Sequence, residues 1–394
     1  MSRKWIDGMG KAFIASVGVC FALLLTGGIT ARAENVEVVP FDKITQEDLD
    51  KAYGPGQKYV DKVKDYKYAN YINELLKKYD TITFKSGETF TLEYSMEIPS
   101  DRAITINADG ATIISQKGTV SNADFTITDY QAIKGLSING GTWKSSTNEG
   151  YKGSSFKLAH GQNISFNKMD IQNTNMGSHS IEVVACKNVV IDGCTIQGLG
   201  SASGREEQVQ IDLAAPGTAG NFLSGAALNG ATCQNVTIQN CTITGNKGIG
   251  INADGKTSAS SVKKANGGKY PNKYHKNITV ANNTITGQKG EGLMAYNVIG
   301  LVVTDNNIVS KLSAKKGNIS AGIHYLNQGK GKKMTATIKN NTVKGGKYAI
   351  FVGTNSAKIK KVVITNNTTK CKGAKGNSAV DVSGCKKSVV KKNR

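Results

Sequence analysis

Three observations predict an all-β chain, a parallel β-helix (solenoid) of about ten coils. The first is an internal repeat. Cys186-Lys-Asn-Val-Val-Ile-Asp-Gly-Cys-Thr-Ile-Gln-Gly198 returns as Cys233-Gln-Asn-Val-Thr-Ile-Gln-Asn-Cys-Thr-Ile-Thr-Gly245, and repeats on this scale mark stacked supersecondary units. The second is spacing. Looser copies, from Ala103-Ile-Thr-Ile106 to Lys387-Ser-Val-Val390, put their fourth residues at 106, 138, 166, 191, 238, 280, 304, 338, 364 and 390, and the shortest intervals, 24 to 28 residues, are one coil each. The third is local pattern: every copy alternates apolar with polar residues over a strand's length and is followed by Asn, Gly or Asp, which tolerate left-handed backbone at a corner. The 3.6-residue period of stacked helices is missing from these segments.

Along the chain, residues 1–33 carry a basic start (Arg3, Lys4, Lys11), an apolar centre and the small-residue end Ala31-Arg-Ala33, the pattern of a secretory signal peptide. Residues 34–57 read as an exposed lead-in broken by Pro40, Gly54, Pro55 and Gly56. From Lys58 to Tyr79, Val60, Val63, Tyr66, Tyr71, Ile72, Leu75 and Leu76 fall near helical spacing, which predicts an amphipathic helix capping the N-terminal end of the solenoid, so that 34–80 is lead-in and cap. Strands begin at Thr81, and residues 81–394 form one elongated domain, because each coil touches only its neighbours. Two coil intervals, 47 and 42 residues, are too long for bare coils and predict loops at about 199–230 and 255–274. Loops on a rigid scaffold carry function.

The repeated unit Asn277-Ile-Thr-Val-Ala-Asn-Asn-Thr-Ile-Thr-Gly287 resembles those of the pectin-lyase-like superfamily over roughly residues 81–394. The resemblance implies a single-stranded, right-handed parallel β-helix and a carbohydrate-active or adhesive role. The Asn-Thr-Asp, Asp-Asp, Gly-His-Gly and Arg-Ile-Lys signatures of that superfamily's polygalacturonases are not found, nor is the paired-Arg motif of its main pectate lyases, so function has to be argued from the site.

Cys186 with Cys233, and Cys194 with Cys241, hold equivalent places on successive coils and should stack about 4.8 Å apart; a disulfide and a reduced ladder both fit that spacing. Charge is concentrated at one end: residues 311–394 hold 19 Lys, one Arg and one acid, Asp381. Such lysines keep terminal coils soluble and discourage end-to-end stacking, and they equally suit attachment to an anionic wall polymer. Nucleic acid is a poor partner for a region without interleaved aromatics. An exported, secreted protein, associated with a cell wall through its basic end, is the expected setting.

Aligning the strands that follow each repeat gives Ser155-Phe-Lys-Leu, Ser180-Ile-Glu-Val, Gln210-Ile-Asp-Leu, Gly250-Ile-Asn-Ala, Gly292-Leu-Met-Ala, Gly322-Ile-His-Tyr, Ala349-Ile-Phe-Val and Ala379-Val-Asp-Val. The second residue is apolar throughout, so the third faces outward. The expected outward column is therefore Lys157, Glu182, Asp212, Asn252, Met294, His324, Phe351 and Asp381. A two-residue slip near Glu207 would instead set Gln210 beside Glu182. Carboxylates on adjacent rungs start about 4.8 Å apart, compatible with either glycosidase geometry. The leading expectation is a polysaccharide-cleaving glycoside hydrolase without cofactor. Glu182 and Asp212 act as its acid and base or nucleophile, Glu206 or Glu207 stand in as substitutes, and His179, Arg205, Gln210, Asn252, Asp254 and Lys157 bind or orient the sugar. The first alternative is a polyuronate lyase in which Glu182, Asp212 and Asp254 hold calcium and Lys157 or Arg205 takes the proton. The second is a noncatalytic glycan-binding solenoid. His324 reads as a surface histidine and the Asn pairs as corner ladders.

Overall fold

The computed structural model describes residues 35–56, 68–146, 155–173, 179–198, 207–215, 222–251, 273–314, 319–355 and 357–394. The expected signal peptide and residues 58–67 of the expected helix lie outside them. Three sheets of 12, 11 and 10 strands are wound by one chain, each coil visiting the first, second and third sheet in turn. The coil of Ala103–Asn107, Thr112–Ser115 and Val120–Asn122 sets the pattern. Every pairing is parallel save the last of the second sheet, where Thr368–Cys371 meets Ala374–Lys375 antiparallel.

Inward positions of the first sheet form an apolar column: Ile82, Ile106, Ile138, Phe166, Ile191, Ile238, Val280, Val303, Ile338 and Ile364, all buried. Each such side chain contributes about 1.5–3 kcal/mol of burial, available only when the next coil is in place. The column corrects one register mark: Val303, not Thr304, stands opposite Val280 and Ile338. Three apolar residues in a row, Leu301-Val-Val303, leave the alternation ambiguous there.

The lead-in is more ordered than expected. Val36–Val38 pairs with Thr81–Phe84 and adds a rung to the first sheet. Helix α1 (Gln46–Tyr53) starts from a capping box in which Asp48 N donates to Thr45 Oγ1 at 3.2 Å and Thr45 N donates to Asp48 Oδ2 at 3.0 Å. Helix α2 (Tyr68–Lys78) buries Tyr68, Ala69, Tyr71, Ile72, Leu75 and Leu76 against α1 and the strands of the first full coil.

The Asn pairs divide their labour. In Asn282-Asn283, Asn340-Asn341 and Asn366-Asn367 the first residue takes a φ of 56–58°, with Asp305 doing so before Asn306; Asn and Asp are the L-residues that tolerate this region best. The second residue is buried and feeds a ladder. Asn283 N and Nδ2 both donate to Asn306 Oδ1 at 2.9 Å, Asn306 N and Nδ2 donate to Asn341 Oδ1 at 3.0 and 2.9 Å, and Asn341 repeats this with Asn367. At another corner, Gly161 N donates to Cys186 Sγ, Cys186 N to Cys233 Sγ, both at 3.3 Å, and Cys233 N to His275 Nδ1 at 3.0 Å. The cysteine stacks are thus present, as free thiols. Among the described residues no helix is long and apolar enough to cross a membrane.

Asn306→Ala removes the acceptor for two donors of Asn283 and orphans a buried N–H; we expect a loss of about 2–3 kcal/mol, read from denaturant midpoints. Burial pushes the His275 imidazole down to about 4, and burial also lowers His160. A folded-state value below that of the unfolded chain gives stability that is complete above about pH 6.5 and is lost as pH falls through the folded value. The melting temperature should therefore drop between pH 6.5 and 4, and His275→Asn, which keeps an acceptor at the δ position, should flatten that slope.

Candidate functional site

The outer faces of the three sheets differ. Strands of the first and second sheets alternate buried with exposed or half-buried residues, as in Gln234–Gln239 and Thr242–Gly245. Strands of the third, Ile181–Val184, Glu207–Asp212, Leu293–Tyr296 and Ala321–Asn327, are buried at every position. Outward polar side chains on this sheet are consequently held out of water: Glu182 is 3% exposed, Gln210 2%, Asp212 1% and His324 3%. A covered polar face is costly unless its groups are satisfied, which sets it apart from a solvated strand surface.

Register corrects the expected column. Glu182 stands opposite Gln210, and Asp212 opposite Val184, two positions along. The column runs Lys157, Glu182, Gln210, Gly250, Met294, His324, Phe351 and Asp381. Glu182 and Asp212 are therefore not rung partners, and Gly250 takes the place expected of Asn252. Gln210 links the two features, its Nε2 donating to Asp212 Oδ1 at 2.7 Å. Arg205, Glu206, Asn252 and Asp254 lie outside the described residues, as does most of the predicted 255–274 loop. The predicted 199–230 loop contains the strand Glu207–Asp212.

A second column, three residues N-terminal along each strand, gathers charge. His179 Nδ1 donates to the Glu207 carbonyl at 2.7 Å and lies 3.9 Å from its Oε2. Glu207 Oε1 accepts from Lys247 Nζ at 2.7 Å, across the register pair Glu207 and Lys247. One rung further, Glu291 Oε1 lies 3.7 Å from His324 Nδ1, which also meets the Tyr296 hydroxyl at 3.2 Å. Burial opposes ionisation of Glu291, yet His324, with help from Lys247, outweighs it and holds the carboxyl below its ordinary range. Burial, with Glu291 and Glu207 nearby, pushes the Tyr296 phenol up. The His324 ring is clamped edge-on between Tyr296 and Phe351, at 5.0 and 5.3 Å.

His324 is thus buried rather than a surface histidine, and Tyr325 is wholly within the core. Lys247 and Glu291 escaped sequence reasoning. The signal was present: in the correct register, the residue two before the inward apolar one reads His179, Glu207, Lys247, Glu291. Gln208 turns inward at the same edge, where Ser180 Oγ donates to its Oε1 at 2.7 Å; a Cβ at Gly245 would come within 2.3 Å of its Cγ. Among the described residues no three His, Cys, Asp or Glu are grouped to hold a metal, and the calcium set of the lyase alternative includes Asp254, outside that range.

The geometry is that of a right-handed parallel β-helix with a covered polar face, and comparisons with known proteins agree on the fold. The family described as right handed beta helix region matches residues 217–369. No curated protein matches the chain. Among solved structures, the Streptococcus pneumoniae surface protein and adhesin PfbA is similar at 18% identity and a TM-score of 0.50, over 77% of this chain and 82% of that one. Another structure of PfbA gives 14% identity and a TM-score of 0.43, over 74% and 78%. The chain is a right-handed parallel β-helix repeat protein, as its likeness to the pectin-lyase-like superfamily implied.

Lys247→Met leaves the Glu207 carboxylate covered without its cation. We expect a loss of about 3 kcal/mol, most of it recovered when Glu207→Gln is added, as read in a denaturation double-mutant cycle.

Proposed function

We propose that the protein is an exported glycan-binding β-helix whose outer third-sheet face, from Lys157 to His324, is the floor of a polysaccharide-binding groove. The observation that carries this reading is the concentration of covered carboxylates, amides, imidazoles and a phenol on one sheet face while the other two carry ordinary solvated residues. Sugar hydroxyls need fixed donors and acceptors in this mixture, and a preorganised, partly dehydrated floor makes each bond count for more. His179, Lys247 and Glu291, which keep 19%, 20% and 13% of their side chains exposed, supply donors and acceptors; the covered Glu207 and His324 orient them, and Tyr296 fixes the imidazole. The signal-like N-terminus supports export, and the similar fold described as a surface adhesin fits a role outside the cell.

Cleavage is the second reading, favoured by one feature. Glu207 and Glu291 occupy one column two rungs apart, about 9.6 Å at the backbone, close to the carboxyl separation of inverting hydrolases. Against it, hydrolysis needs one carboxyl protonated, whereas Glu291 is held ionised by His324 and Glu207 is bonded to Lys247.

The test is titration of the mature protein with a panel of neutral and acidic polysaccharides, with reducing ends and unsaturated-product absorbance followed in parallel, in calcium or chelator. Binding without product, weakened about tenfold or more by Glu291→Gln or His324→Ala, is the expected result. Reducing ends abolished by Glu207→Gln or Glu291→Gln would replace binding with hydrolysis. Calcium-dependent absorbance would make the protein a lyase, and absence of binding to every polysaccharide would overturn the proposal.

A further inference from the structure

The C-terminal coils carry a column of lysines on a different sheet. The lysine excess of residues 311–394, 19 Lys and one Arg against the single Asp381, is not spread evenly in space. In the second sheet Lys344 stands opposite Lys370, and Lys370 opposite Lys375 across the terminal antiparallel pair. Like charges directly opposite on a sheet are destabilising. Elsewhere in the molecule a corresponding column is compensated, Glu207 beside Lys247. Here it is not: no ion pair involves Lys344, Lys370 or Lys372 among the described residues, and all three side chains are exposed.

These lysines surround a cavity. Ser313, Ala314, Lys344, Gly345, Gly346, Lys370, Cys371 and Lys372 line a space of about 400 Å³. Its floor is fixed by backbone bonds, Gly345 N to Lys370 O at 3.0 Å, Gly346 N to Ser320 O and Lys372 N to Gly346 O, both at 2.9 Å. Two glycines keep the wall low, and a Cβ at Gly346 would come within 2.3 Å of the Leu312 carbonyl oxygen. Three lysines thus border a small-residue floor fixed by backbone bonds, around a space of a size suited to one sugar ring.

We propose that this cavity binds the anionic groups of an acidic polysaccharide, carboxylates or sulfates recurring along the chain so that adjacent charges meet Lys344 and Lys370 on adjacent rungs. Recurring charge relieves the repulsion built into the lysine column, which a single small anion does only in part. Lysine, a compact point charge on a flexible stem, suits such groups without demanding bidentate geometry.

Dextran sulfate and neutral dextran, which share a backbone, are the probes for the full chain, with polygalacturonate as the carboxylate arm. Dextran sulfate should bind and raise the melting temperature, polygalacturonate should bind with it if carboxylates suffice, and neutral dextran should do neither. The triple substitution Lys344→Gln, Lys370→Gln, Lys372→Gln should weaken dextran sulfate binding by at least about tenfold at ~0.15 M salt. An equal change of charge on the first-sheet side, Lys361→Gln, Lys387→Gln, Lys391→Gln, should weaken it by less than about threefold. Arg at the three cavity positions should retain binding. Equal loss in both Gln variants would overturn the proposal in favour of a diffuse field, as would binding of neutral dextran with similar affinity. None of these substitutions touches the third-sheet groove, so either site can fail without the other.

Discussion

A coil of this protein has no interior of its own, and everything else depends on the bonds that lock it to the coils on either side. Backbone ladders supply these along the three sheets, but corners interrupt the ladders and leave buried N–H groups pointing at the neighbouring coil. The chain answers with side chains. Asn283, Asn306, Asn341 and Asn367 each present an amide oxygen to the N–H of the preceding coil, and at another corner Cys186 and Cys233 present a thiol sulfur and His275 a ring nitrogen. Unmet, such groups each cost about 1–3 kcal/mol. The corner ladders also fix register, because each buried amide is seated by two bonds to the next coil and one back to a backbone carbonyl, a set that a coil displaced by one residue would break.

Because the corners are rigid, the third sheet can bear a face that local physics disfavours. Glu207, Lys247, Glu291 and His324 are kept largely from water, and each is oriented by another of the set rather than by solvent. The arrangement exchanges stability for a fixed polar surface, the expected compromise at a site.

The fold was legible because its cause is periodic. Apolar alternation recurs with each coil, and Asn pairs with several of them, so errors in one copy are corrected by the next. The site was only partly legible because it depends on register within a single strand. Gln208-Val-Gln-Ile-Asp212 alternates perfectly, so a shift of two residues leaves every side chain on its face; nothing in the pattern decides whether Gln210 or Asp212 meets Glu182. His324 was misread for another reason: alternation tells which way a side chain points, not whether that direction leads to water. Glu291 and Lys247 sit beside a glycine at a strand's start, where a residue looks like turn punctuation until its neighbours on adjacent coils are known.

The thiols carry a further meaning. Every cysteine among the described residues is free, and burial raises the Cys186 thiol to about 12, so it hardly supplies the thiolate that exchange or oxidation requires. The solenoid therefore closes without waiting for any oxidant or isomerase, steps that take seconds to hours. The Cys186 corner is thereby kept apart from thiol chemistry, and its role as an acceptor does not depend on how oxidising the surroundings are.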